Sequence, residues 1–156
     1  MSEPIWTWRE LVEASGGVAD GNVGVAISGI SISANAKTLY VACPWGDTIC
    51  LLPTDRTATP KHLDLTKDDY PYTTLPTKNG KRLFVSLWGH AAVAVINLEK
   101  TTIEARWKTD AHPTEMILSA DEKTLYVANA DGVLGFPYQA GQTAVSAVGT
   151  RVFDLP

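Results

Sequence analysis

The chain has 156 residues, of which 45% are hydrophobic and 19% charged, and carries a formal net charge of −4. This is the length and composition of one globular domain, and the acidic balance, without a basic stripe, argues against nucleic acid as a partner. No apolar run approaches membrane-spanning length. The start, Met1-Ser2-Glu3-Pro4-Ile5, lacks the apolar centre of a signal peptide, so a cytoplasmic location is expected.

Residues 1–27 match nothing else in the chain. Trp6-Thr7-Trp8 alternates as a blade-closing outer strand would, 11–14 reads equally as a short helical turn, and Gly16-Gly17 and Gly21-Asn22 read as loop. From residue 28 one pattern is written three times. Lys37-Thr38-Leu39-Tyr40-Val41-Ala42 returns as Lys81-Arg82-Leu83-Phe84-Val85-Ser86 and as Lys123-Thr124-Leu125-Tyr126-Val127-Ala128, with Tyr40, Phe84 and Tyr126 separated by 44 and 42 residues. In each copy a polar turn (Asn35-Ala36-Lys37, Asn79-Gly80-Lys81, Asp121-Glu122-Lys123) joins two apolar runs. Asn, Asp and Gly there tolerate the left-handed backbone of tight hairpins. The runs before the turn, 29–33, 72–77 and 114–119, are predicted innermost strands; those after it, 38–43, 82–87 and 124–128, are second strands rich in β-branched and aromatic residues.

A second turn follows. Trp45-Gly46-Asp47 and Trp88-Gly89-His90 hold matching places 43 residues apart, and Asn129-Ala130-Asp131-Gly132 takes the third. Third strands are predicted at 48–52, 91–97 and 133–138, and more polar outer strands at 61–65, 102–107 and 144–153. The run Ala91–Ile96 suits a strand covered on both faces, whereas Pro137 suits an edge or bulge. A period of about 40–45 residues with four strands per unit marks the blade of a β-propeller. The fold class predicted is therefore all-β, with blades at 28–69, 70–111 and 112–156. Three blades do not close a ring, since propellers use about 4–8, and an open array leaves apolar faces in water. The expected remedy is a homodimer forming one closed ring, with residues 1–27 pairing across the junction.

Cys43 and Cys50 flank the first blade's second turn outside any CxxC pattern. Free buried thiols are expected, with a cross-strand disulfide as the alternative.

Up-and-down strand order brings the loops entering the inner strands and the loops linking second to third strands to one rim. Tyr70-Pro71-Tyr72, His112-Pro113-Thr114-Glu115 and the three second turns therefore converge. Trp45, Trp88, Tyr70 and Tyr72 are candidate walls for a small-molecule substrate. His90 and His112 are candidate general bases, imidazole being the proton carrier of neutral pH. Glu115, read as lying within a channel-lining strand, is the third candidate catalytic group. With Asp131, Asn129 and Asp47 it forms a candidate divalent-cation set, calcium for oxygen donors and zinc or manganese if histidine joins. Each residue also has a plain structural reading: a Trp between blades, an exposed loop-tip His90, a His112 bonding a neighbouring blade, a Glu115 solvated in a wet channel. There is no GxSxG, P-loop or dinucleotide fingerprint, which disfavours covalent catalysis.

The Lys-Thr-Leu-Tyr-Val-Ala and Lys-Arg-Leu-Phe-Val-Ser motifs, the Trp-Gly-Asp turn and His112-Pro113 together resemble the YVTN-repeat family of β-propellers over about residues 29–130. They look most like modules found beside alkaline-phosphatase or phosphoesterase domains, of which this chain resembles about half. Six-bladed relatives of that architecture include lactonases, gluconolactonases, paraoxonases and organophosphate hydrolases, which implies a divalent ion in the central channel. The expected function is a hydrolase that uses metal-assisted water attack on ester, lactone or phosphotriester-like substrates. The alternative is a non-catalytic propeller scaffold that binds a protein or peptide.

Overall fold

The computed structural model describes residues 27–130 and 132–138, together with Thr7, Arg9, Glu10 and Glu13. The strand expected in the N-terminal extension, the outer strand expected at 144–153 and Asp131 lie outside the described residues. Arg9, Glu10 and Glu13 have helical backbone, and Glu10 pairs with Arg56 of the first blade.

The described residues form eleven strands in three antiparallel sheets. Blade one is β1 (Gly29–Ile32), β2 (Thr38–Cys43), β3 (Thr48–Pro53) and β4 (Lys61–Asp64), paired in chain order. Blade two repeats this with β5 (Pro71–Pro76), β6 (Arg82–Leu87), β7 (Ala92–Asn97) and β8 (Thr102–Lys108). Blade three has β9 (Met116–Leu118), β10 (Thr124–Asn129) and β11 (Gly132–Pro137). These are successive up-and-down blades of a β-propeller, as the threefold motif predicts. Among the described residues no helix is long and apolar enough to cross a membrane.

Each polar turn before a second strand is built alike. The Ser33 hydroxyl donates to Asn35 Oδ1, Thr77 to Asn79 and Ser119 to Asp121, at 2.8, 2.8 and 2.7 Å. The same acceptors take the backbone N–H of Lys37, Lys81 and Lys123. The left-handed residue is the one after each acceptor: Ala36, Gly80 and Glu122, with φ of 56°, 68° and 56°. The Asn or Asp thus caps the turn, and its successor takes the strained backbone.

The two cores lie between blades. Tyr40, Ala42 and Ile49 of blade one meet Leu83, Val85, Leu87, Ala94 and Ile96 of blade two. The other face of blade two gives Phe84, Val93, Val95 and Trp107 to Leu125, Val127 and Phe136 of blade three. Strand β7 is buried on both faces, which explains its unbroken apolar run. Small polar groups join neighbouring blades: Ser31 and Thr74 hydroxyls of the inner strands β1 and β5 are 2.7 Å apart, and Ser86 of β6 donates to Thr114 O at 2.7 Å. Gly29 permits this approach, because a Cβ there would lie 2.5 Å from Tyr72 O.

The repeat also exposes what is unpartnered. Tyr126 corresponds to Tyr40 and Phe84, which are 5% and 0% exposed against the next blade, yet Tyr126 is 41% exposed. Its cross-strand neighbour Ile117 is 65% exposed. Among the described residues no further blade packs on this face of blade three. Cys43 and Cys50 are buried free thiols with sulfurs 3.6 Å apart.

Candidate functional site

Three of the loops expected on one rim, those of Trp45, of Tyr70 and of Trp88, meet and wall a cavity of about 570 Å³ with Pro44, Trp45, Tyr70, Tyr72 and Trp88. All four aromatic candidates line it. Trp45 meets Tyr70 edge-on at 6.1 Å and Tyr70 meets Trp88 edge-on at 6.5 Å, with interplanar angles of 83° and 84°. Trp45 is 69% exposed, so it forms an outer wall and does not pack between blades.

The two Trp-Gly turns differ in register. Pairing of Cys43 with Thr48 and of Leu87 with Ala92 makes the turns 44–47 and 88–91 equivalent, so Trp88 stands at the place of Pro44 and His90 at that of Gly46. The left-handed residues agree, Asp47 at φ 46° and Ala91 at φ 47°. The matched tripeptides of the sequence are therefore one residue out of step, and the two tryptophans reach the cavity from different positions.

Asp47 organises the loop that carries Tyr70. Its carboxylate accepts the N–H of Asp68 and of Tyr70, each at 2.8 Å, and both of those residues have left-handed backbone, with φ of 65° and 45°. Such conformations are strained by about 1–3 kcal/mol each and persist where neighbouring groups hold them.

Asp69, not anticipated from the sequence, is the anchor of this rim. Its buried carboxylate takes both guanidinium nitrogens of Arg106, at 2.7 and 2.8 Å. It also accepts the N–H of Thr66 at 2.7 Å and Nδ1 of His90 at 2.8 Å. Burial by itself raises the Asp69 carboxyl, but hydrogen bonds from Arg106, His90 and Thr66 outweigh it and hold the pKa below the ordinary carboxylate value. A depressed folded pKa stabilises the fold above the unfolded value of about 3.9 and loses that contribution as pH falls through the lower folded value. The urea midpoint is accordingly expected to drop on acidification below about pH 4; a midpoint unchanged down to about pH 2.5 contradicts the network's role.

His90 is thus fixed by Asp69, with Nδ1 as donor and Nε2 left as a base. His112 does not line the cavity but touches one of its walls. Its ring stacks on Trp88 with centroids 4.1 Å apart and planes 23° apart. Its Nδ1 donates to Trp88 O at 3.4 Å, and Nε2 is the ring nitrogen that this contact leaves unengaged. Left-handed backbone at His112, φ 55°, turns the ring onto Trp88.

The expected cation set is dispersed. Both Asp47 oxygens are taken by backbone N–H groups. Glu115 is exposed and lies just before β9, not within it, beside Ile117, Tyr126 and Val133 on the unpartnered face. Asn129 donates to Val127 O and keeps a buried Oδ1 without a partner. Among the described residues no three His, Cys, Asp or Glu side chains gather as a metal site.

No family model matches the chain, and no curated protein matches it. Solved structures do. Hydrazine synthase of Kuenenia stuttgartiensis matches with TM-score 0.69 and 17% identity, over 83% of this chain and 38% of that one. A candidate 6-phosphogluconolactonase of Bacteroides uniformis matches with TM-score 0.67 and 18% identity, over 79% and 40%. A catalytically inactive virginiamycin B lyase of Staphylococcus aureus, with quinupristin, matches with TM-score 0.64 and 15% identity, over 83% and 43%. At these identities the likeness is one of propeller fold. The chain spans 38%, 40% and 43% of those three chains, well under half.

Proposed function

We propose that the rim cavity binds a small molecule with an aromatic or apolar group and that the protein hydrolyses an ester, lactone or phosphoester bond beside it. The single observation that carries this is an apolar cavity walled by four aromatic rings from two blades, with the His112 imidazole stacked on one wall. Nε2 of His112 takes a proton from water as the water attacks the carbonyl or phosphoryl centre, and returns it to the leaving oxygen. Trp45, Tyr70, Tyr72 and Trp88 hold the leaving group and exclude water from its apolar part. The putting of such a cavity on a propeller rim also agrees with the names of two fold neighbours, a candidate lactonase and a lyase.

Two further readings accompany it. The thrice-written motif is of the YVTN type; its copies open the second strand of every blade. A second copy of the chain completes the ring, with the face bearing Tyr126 and Ile117 as its contact surface.

The test is a panel of aryl esters, lactones, phosphodiesters and phosphotriesters, with binding followed by tryptophan fluorescence, run with and without a chelator. His112→Ala is expected to lower kcat/KM by about 10²-fold or more while binding persists. Turnover unchanged in that variant overturns the assignment. Turnover abolished by chelation overturns the His112 mechanism in favour of an ion-assisted one. Binding without turnover leaves a non-catalytic binding propeller.

A further inference from the structure

We infer that the ligand of the aromatic cavity presents an organic cation, a tertiary or quaternary ammonium group, to the space between Trp45, Tyr70, Tyr72 and Trp88. This rests on reading the cavity as a binding site and names the class of molecule it takes.

The first observation is the ring geometry. Tyr70 stands nearly perpendicular to both Trp45 and Trp88, at 83° and 84°, so the cavity has aromatic surface on at least two differently oriented sides. The negative face of an aromatic ring attracts a cation within about 6 Å, and several rings round one site recognise alkylated ammonium groups.

The second observation is charge. The described loops that wall or adjoin the cavity, 44–47, 65–70 and 88–91, carry Asp47, Asp68 and Asp69 against Lys67. Arg106, which reaches in from β8, is spent on Asp69. The Asp47 carboxylate accepts two backbone N–H groups at the base of the Tyr70 loop. The Tyr70 hydroxyl points to Asp68 Oδ1 at 3.5 Å, putting a second carboxylate beside a cavity wall. The rim is therefore acidic around an apolar, electron-rich cavity. This field opposes an anionic ligand and attracts a cation whose charge is shielded by alkyl groups. A bare ammonium or metal ion gains less here, because the walls offer it no oxygen to replace its water.

With the hydrolytic reading, the substrate class becomes an ester or lactone bearing an alkylated ammonium group. The cation is seated by the rings, and the bond to be cut lies toward His112 on the far side of Trp88.

The test uses an isosteric pair: choline, and 3,3-dimethylbutan-1-ol, in which carbon replaces the ammonium nitrogen. Binding is followed by tryptophan fluorescence and by calorimetry on the full chain. Choline is expected to bind at least about fivefold more tightly, the size of an exposed cation–π contact. That preference should be lost in Trp45→Ala and kept in Trp45→Phe; Trp45 is exposed, so neither change threatens the fold. Equal or tighter binding of the neutral alcohol overturns the inference and leaves an apolar site. Failure of both probes to bind overturns the inference together with the cavity's role as a binding site.

Discussion

Replacing Asp69 by Asn is expected to destabilise the fold by about 3 kcal/mol, read as a lower urea midpoint. The carboxylate is fully buried and receives four hydrogen bonds, two from Arg106 and one each from His90 and Thr66. An amide keeps the shape but removes the charge, leaving the Arg106 guanidinium without its counterion. It also presents an N–H₂ to at least one donor. Removing one member of a buried pair costs more than the pair's net worth, because the other is left uncompensated. Arg106 is one-third exposed, with side-chain accessibility of 33%, so water recovers part of the loss and the low end of the usual range applies. The variant should also lose the acid-dependent part of the midpoint shift. A loss below about 1 kcal/mol would mean that the network decorates the rim without holding it.

Gly89→Ala is expected to cost a comparable amount, about 3 kcal/mol, and to abolish ligand binding at the cavity. A Cβ at Gly89 would lie 2.0 Å from Asp68 O and 2.7 Å from Tyr70 Cδ2. The nearer obstacle is backbone, already locked by Asp47 and by the hydrogen bond from Gly89 N–H to Asp69 O. Relief requires the loop of Tyr70 to part from the loop of Trp88, which are two walls of one cavity. Gly46→Ala is the matched control, since its Cβ would meet only Thr48 Oγ1 at 3.6 Å, an ordinary contact. Equal stability and equal binding for the two variants would contradict the account of how the rim is assembled.

The two glycines share a Trp-Gly dipeptide but not a place in the turn, since Gly46 stands where His90 does. This is the pattern of what was legible in the chain. The blade motif repeats whole, so the bounds of β2 and β6 follow from it directly, and β7 follows from its apolar run. The rim aromatics were legible because strand order alone sends their loops to one end. The register of the turns was not: strand pairing, which decides it, shifts Trp88 one place from Trp45. Asp69 carried no signal, since its partners Arg106 and His90 lie 37 and 21 residues away and only packing buries it. Asp47 reads as a possible ligand in sequence, but its oxygens are committed to two backbone N–H groups 21 and 23 residues on. Glu115 stands at the irregular entry to β9: Thr114 N–H donates to Ala128 O and Ala128 N–H donates to Glu115 O, and the regular ladder begins only at Met116, after Pro113, which donates no N–H, and left-handed His112.

The most direct test of the central claim, that this rim cavity is where the protein meets its ligand, is a nuclear magnetic resonance titration of the indole N–H groups. A non-hydrolysable aryl amide analogue of the ester substrates serves as probe, and assignments come from single Trp→Phe variants. The account predicts that the Trp45 and Trp88 resonances move together and saturate with one affinity, while Trp107, buried between blades two and three, stays in place. Movement of Trp107 without the other two, or no movement of Trp45 and Trp88 at saturating probe, would contradict it.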